Sequence, residues 1–423
     1  MGSSNTADLS ADHSKQQNHS TRKGPLSGIR VLELAQIMAG PTCGMMLADM
    51  GADVIKVEKM PGGDDSRGYK EPLINGVSAP FLVLNRNKRG IALNLKQPEA
   101  KEVLRRMVAS SDVLTENYRK GTLEKLGLGY DSLKAINPKL IYCAVSGYGR
   151  TGPMADAAGF DLIAQGFSGL MSFTGHPNMP PAKTGNSIAD INAGILAAVG
   201  ILAALVERGR TGLGQFVETS LIEAAIQQTY WQAAVFFATG ESAKPLGSAH
   251  TLTAPYQAFA CADGFLNIGG ANQANWERIA DALGHPEWRQ DPRFVTNTDR
   301  MTHREELTAE IERVTRLKSV AHWQAIFDAA GVPAGPVHSV EQALTHEQTL
   351  ARHMVVTSEH PKAGPVRGVG NPIKFSSHPS GPTSAPAPML GQHAFEVLSE
   401  FGYSEEAVRT LIEVGAVGSP VSV

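Results

Sequence analysis

Between Gly28 and Ser146 the chain repeats one alternation: a short apolar run, a helix-periodic stretch, and another short apolar run. Gly28-Ile29-Arg30-Val31-Leu32-Glu33-Leu34 reads as a strand, Gly40-Pro41 as a turn, and residues 42–50 as a helix, before Asp53-Val54-Ile55-Lys56-Val57-Glu58 forms the next strand. A helix between two strands forces a crossover, so the strands pair in parallel and the connection is right-handed. The pattern continues through a strand at 91–95, a helix at 99–110, a strand at 113–117, a helix at 123–136 and a strand at 140–146. The expected fold is α/β, with a large Rossmann-like open parallel sheet. Its first crossover, Ala35-Gln36-Ile37-Met38-Ala39-Gly40-Pro41, lacks GxGxxG and so argues against a nicotinamide or flavin cofactor.

The 423 residues are enough for two or three cores. Residues 1–24 are polar with no apolar signal core and read as a disordered leader. Residues 25–223 carry the first part of the large domain, and 224–246 a linker helix with aromatic residues. Residues 247–335 form a smaller α+β domain, opened by a hairpin around Asp263-Gly264. Residues 336–423 combine a Pro- and Gly-rich linker with a last amphipathic helix.

A formal net charge of -3 gives no general attraction to nucleic acid or anionic lipid, so phosphate recognition must be local. The cysteines Cys43, Cys143 and Cys261 are widely separated and form no CxxC or Cys/His cluster. No metal site or disulfide framework is expected, and a reducing, cytoplasmic setting fits. The most apolar run, 191–206, is shorter than the roughly 20 residues that span a bilayer, so no membrane association is expected.

Asp190 immediately precedes that run, which is apolar on nearly every face until Glu207-Arg208-Gly209-Arg210. At the N-cap of an enclosed helix its carboxylate would accept free N–H groups and feel the positive end of the dipole, both favouring ionisation. A nucleophile for an activated acyl group needs that environment, and a purely structural cap has it too. Local sequence leaves both readings open, and the same holds for Asp161 in the turn Gly159-Phe160-Asp161.

Five segments in one order carry the functional signal: residues 29–41; 51–67, ending Gly62-Gly63-Asp64-Asp65-Ser66-Arg67; Asn85-Arg86-Asn87-Lys88-Arg89 with Leu93; Glu116-Asn117-Tyr118 with Gly121 and Leu126; and Ser146-Gly147-Tyr148-Gly149 through Gly159 to Gln165. With Asp190, Arg210-Thr211-Gly212 and Pro388-Met389-Leu390-Gly391-Gln392-His393, the chain strongly resembles the class III CoA-transferases, the CaiB/BaiF or formyl-CoA transferase-like family, from about Gly24 to its end. The resemblance implies a large domain built from N- and C-terminal segments, a smaller domain between them, and two subunits interlocked as a ring-like homodimer. It implies an enzyme, a transferase of sulfur-containing groups, whose partners are an acyl-CoA and a carboxylic acid. The CoA thioester is a substrate, and no cofactor is permanently bound.

By the same resemblance Asp190 is the catalytic residue, passing through a mixed anhydride and an aspartyl-CoA thioester. CoA contacts fall on Ile37, Met38, Ala39, Lys59, Leu93, Asn117, Lys125 and Leu126. The family often has Gln at the Met38 position and Arg at those of Lys59 and Lys125, which would make phosphate contacts point-charge and not bidentate. Phe160, Asp161 and His250 are substrate-end candidates. A succinyl-CoA donor with a dicarboxylate acceptor is the expected pairing, with Arg67, Arg86 and Arg89 as cations for the far carboxylate. The alternative is an α-methylacyl-CoA racemase, which needs a proton-transfer group on each face of the α-carbon and would find Phe160 where related racemases place His. A CoA-binding scaffold without turnover is the non-enzymatic alternative.

Overall fold

The computed structural model describes residues 24–420, so the leader expected over 1–24 lies, except for Gly24, outside the described residues. Six strands form one parallel sheet: β1 (Arg30–Glu33), β2 (Asp53–Lys59), β3 (Arg89–Leu93), β4 (Val113–Glu116), β5 (Ile141–Ser146) and β6 (Phe216–Ser220). Their spatial order is β3-β2-β1-β4-β5-β6, with Val31 level with Val54 on one side and with Val113 on the other. Chain order therefore reverses between β1 and β4. In open α/β sheets the crevice outside the carboxyl ends at such a switch point is where ligands bind.

Period-two alternation sends neighbouring side chains to opposite faces, and each face is covered. On one face Leu32, Ile55, Leu114 and Tyr142 pack with Val103 and Leu104 of the helix Pro98–Ala109. Val397, Leu398 and Val408 of the C-terminal helices join the same core. On the other face Val31, Val54, Val113 and Cys143 pack with Cys43 and Leu47 of α1 (Ala39–Asp49) and with Ala193, Ala197 and Ile201 of a long helix at Ile188–Thr211.

Three local expectations change. Gly40-Pro41 is no turn but part of the first turn of α1, where a missing N–H costs nothing. The helix expected over 123–136 divides into Thr122–Lys125 and Tyr130–Ile136, with Gly127 at φ 70 between them. The helix expected to begin after Asp190 begins at Ile188 and runs 24 residues, long and apolar enough by length and composition to cross a membrane. Here it lies against the sheet through a stripe of small residues, Ala189, Ala193, Ala197 and Ala204, all buried.

The smaller unit holds the antiparallel pair Tyr256–Ala260 and Phe265–Gly269, joined by Ala334–Pro336. Helices Gln273–Ala282, Arg304–Thr315 and Val320–Ala329 cover it around Trp276, Phe294 and Phe327.

Candidate active site

At the switch point, the segments after β1 and β4 line one cleft of about 540 Å³. Gln36, Ile37, Met38 and Ala39 come from the first, Asn117 to Lys120 from the second, and Asp190 lines the same cleft along with Gly147 and Gly159. The two segments are tied directly. Asn117 accepts the N–H of Gln36 through Oδ1 at 2.9 Å and donates through Nδ2 to the Gln36 carbonyl at 2.8 Å.

Two close approaches shape the cleft. A Cβ on Gly194, one helical turn beyond Asp190, would lie 2.5 Å from the Ala39 carbonyl oxygen and 2.7 Å from the Thr42 Cβ. The missing side chain is what lets the Asp190 helix press against the start of α1. Gly147 and Gly159 cross with the same intimacy, a Cβ on Gly147 falling 2.8 Å from the Gly159 Cα.

Ile37 holds φ at 69, a left-handed conformation that a β-branched residue rarely adopts. Asp64 accepts its N–H through Oδ1 at 3.0 Å, along with the N–H and hydroxyl of Ser66 at 2.9 and 2.7 Å. Behind Asp64 stands a fully buried ion network. The Lys56 ammonium lies 2.8 Å from Asp64 and 3.0 Å from Glu33, and that of Lys88 lies 2.8 Å from Glu33. Burial pushes the Asp64 carboxyl upward, but Lys56 and the Ser66 donors outweigh it and hold the group down at about 2. Asp64 thus stays ionised and keeps the first loop in its strained shape. Nothing local in the sequence announces this, because lysines and glutamates read as surface residues and Glu33 lies 23 residues from Lys56 and 55 from Lys88.

Asp190 is the third residue of its helix, with Ser187 at the N-cap, so the N-cap position expected for it is corrected. Its carboxylate is half-buried and accepts no hydrogen bond from the described residues. Burial, and then the charge of Asp161, push it up from 3.8 to about 6. The expectation of a strongly favoured ionised form is corrected too: near neutrality Asp190 is charged, but poorly solvated and unsatisfied. Asp161 opens the helix Asp161–Phe167 and caps the other helix, accepting the Ala189 N–H at 2.9 Å. Its second oxygen takes Gln165 Nε2 at 2.7 Å, while Gln165 Oε1 accepts the Thr184 N–H at 2.9 Å.

Lys59, Leu93 and Leu126 line a second cavity of about 240 Å³, which shares Tyr118 and Thr122 with the Asp190 cleft. Lys59 is half-exposed and paired with Asp65. Lys125, exposed at the end of a single-turn helix, lines neither cavity. Phe160 lines the Asp190 cleft and is 72% exposed. His250 does not line it: the ring packs tilted against Tyr256 with centroids 5.2 Å apart, and Nδ1 accepts the Leu252 N–H.

The three arginines expected to meet a far carboxylate are all engaged elsewhere. Arg67 forks onto Glu58 at 2.7 Å, Arg86 meets Asp49 at 2.5 Å with both side chains buried, and Arg89 binds Asp53, Glu396 and Glu400. Beneath the second loop, Glu116 accepts the Tyr118 N–H at 2.7 Å and pairs with Arg150. Burial outweighs that arginine and raises the Glu116 carboxyl to about 7.

The model of CoA-transferase family III matches residues 26–394. A succinate–glutarate CoA-transferase of Agrobacterium fabrum is 40% identical over 385 residues, 90% of this chain and 96% of that protein. The succinyl-CoA:glutarate CoA-transferase of Mus musculus is 36% identical over 394 residues, 93% of this chain and 90% of that one. A CaiB/BaiF family protein from Brucella suis superposes with a TM-score of 0.80 at 40% identity, covering 89% of this chain and 99% of that one.

Proposed function

The chain belongs to CoA-transferase family III and is an enzyme that transfers CoA, and from that premise we propose that Asp190 carries the group in transit. Asp190 attacks the carbonyl carbon of an acyl-CoA, the C–S bond breaks, and a mixed anhydride and CoA thiolate result. The thiolate attacks the Asp190 carboxyl carbon, releasing the donor acid and leaving an aspartyl-CoA thioester. The acceptor carboxylate displaces the thiolate to form a second anhydride. The thiolate then attacks the acceptor's carbonyl, giving the new acyl-CoA and regenerating Asp190. One thioester is exchanged for another, so no ATP is consumed.

The observation that carries this reading is the unsatisfied Asp190 carboxylate in the cleft that Ile37, Met38, Ala39 and Asn117 also line. Both anhydrides require water to be kept out, and the tight crossings at Gly147 and Gly194 favour a close, dry fit. The relatives' substrates support a succinyl-CoA donor with glutarate or a similar dicarboxylate acceptor. Among the described residues lining the cleft there is no histidine, which disfavours the racemase alternative. Mass spectrometry of acyl-CoA products from a panel of donors and carboxylates tests the reading. CoA exchange onto a dicarboxylate is expected, and hydrolysis alone would count against it.

The reading includes an interlocked homodimer in a reducing aqueous compartment. Supporting it, the helix Tyr230–Thr239 has no buried residue and exposes Trp231 at 64% and Phe237 at 82%, an apolar face suited to a second copy, while the three cysteines are free and buried. Sedimentation at micromolar concentration should give a dimer, and a stable monomer would contradict it.

A further inference from the structure

We propose that the smaller unit carries a second anion site, a cavity in which Arg300 binds a small carboxylate. The cavity measures about 580 Å³ and shares no lining residue with the Asp190 cleft. Thr253, Asn272, Gln273, Thr296 and Asn297 contribute polar walls. Of the described residues that line it, Arg300 alone is charged, and it is 1% exposed.

A buried cation ordinarily has an acid beside it, as Lys56 has Glu33 and Arg86 has Asp49. Arg300 forms no ion pair among the described residues. Its Nε donates to the Ala254 carbonyl at 2.7 Å, and Nη1 to the Phe294 and Val295 carbonyls at 2.9 and 3.2 Å and to Gln273 Oε1 at 3.1 Å. One edge of the guanidinium is thus spent on neutral acceptors, while Nη2 donates to none of the described residues. Asp299, the nearest acid in sequence, is turned to Thr296 instead, accepting its N–H at 3.0 Å and its hydroxyl at 2.6 Å. Burial pulls the Arg300 pKa down to about 10 against the charges of Asp299 and Glu277, so the group stays cationic near neutrality without a counter-ion.

The same cavity takes in the start of the helix Gln273–Ala282. Asn272 caps it, Oδ1 accepting the Asn275 N–H at 2.9 Å, which leaves Asn272 Nδ2 and the Gln273 N–H without acceptors among the described residues. An open guanidinium nitrogen, an amide and a helix N-terminus are donors that suit a carboxylate. Charge selects a carboxylate over a phosphate. One cation matches one negative charge, and Asp299 and Glu277, close enough to act on Arg300, repel a second.

The test titrates the full-length protein with acetate, glutarate and inorganic phosphate at constant ionic strength, following tryptophan fluorescence, because the Trp276 ring lies 5.2 Å from the guanidinium. Saturable binding of both carboxylates is expected, with a Kd on the order of 1 mM and phosphate weaker. Asn272→Asp keeps the cap, and so the fold, but places a competing carboxylate on the cavity; it should weaken acetate and glutarate by about tenfold or more. Asp190→Asn and saturation with CoA should leave both affinities unchanged. The absence of saturable binding, or equal affinity in Asn272→Asp, would overturn the site. Phosphate binding tighter than acetate would overturn the choice of ligand, and a signal lost in Asp190→Asn or displaced by CoA would return it to the catalytic cleft. Protein that binds carboxylates here but transfers no CoA would refute the function and leave this site standing.

Discussion

The Asp161 carboxylate accepts the backbone N–H of Ala189 at 2.9 Å, so one aspartate caps the helix that presents the other, Asp190, in its next residue. The same carboxylate contributes to the raised Asp190 pKa. Cap and charge can be separated by substitution. Asp161→Asn keeps an acceptor for Ala189 but removes the charge, so Asp190 should ionise at lower pH. The acid limb of the kcat/KM profile should then move down from near pH 6, and an unmoved limb would contradict the coupling. Asp161→Ala loses the cap as well and should cost about 1 kcal/mol of stability by denaturant titration.

Asp190 should destabilise the fold it serves. Its carboxyl is raised from 3.8 to about 6 on folding, so the folded chain binds the proton more tightly, and stability is lost as pH rises through that window. Asp190→Asn is neutral throughout. It should abolish transfer while raising stability at pH 7 by on the order of 1–2 kcal/mol, a gain that disappears below pH 4. Equal Tm values for the two proteins at pH 7 would argue against a poorly solvated carboxylate.

Gly194 sets the spacing between the Asp190 helix and the start of α1. Gly194→Ala puts a Cβ 2.5 Å from the Ala39 carbonyl, so the helices must part; we expect a loss of about 1–3 kcal/mol and a raised KM for acyl-CoA. Gly209→Ala in the same helix meets nothing within 4 Å and should be neutral or stabilising, which separates contact from helix propensity.

Arg86 is structural. Arg86→Ala leaves Asp49 buried without its partner and should cost about 3 kcal/mol of stability, while the KM for a dicarboxylate acceptor stays at the wild-type value. A selective rise in that KM with stability intact would return Arg86 to the substrate.

Five of the six sheet strands were legible because β-branched and apolar runs between helix-periodic stretches admit few other folds. The sixth, Phe216–Ser220, escaped because it is a short edge strand with Phe216 and Glu218 exposed, and lacks a continuous apolar run. The start of the Asp190 helix was displaced because its first turn, Ile188 to Asp190, mixes apolar and acidic residues that read as a cap. Least legible was the support of the site. Lys56, Lys88 and Glu33 are fully buried, and only the folded chain brings β1, β2 and the segment before β3 together around Asp64. The roles of Arg86 and Arg89 were hidden for the same reason, since Asp49 lies 37 residues from Arg86 and Glu400 lies 311 from Arg89.

The central claim is that Asp190 carries the transferred group, and chemical trapping addresses it most directly. Turnover of an accepted acyl-CoA in the presence of hydroxylamine, followed by peptide mass spectrometry, should convert Asp190 to its hydroxamate, and Asp190→Asn protein should carry no label. Label on Asp161 instead, or CoA exchange proceeding in Asp190→Asn protein, would contradict the account.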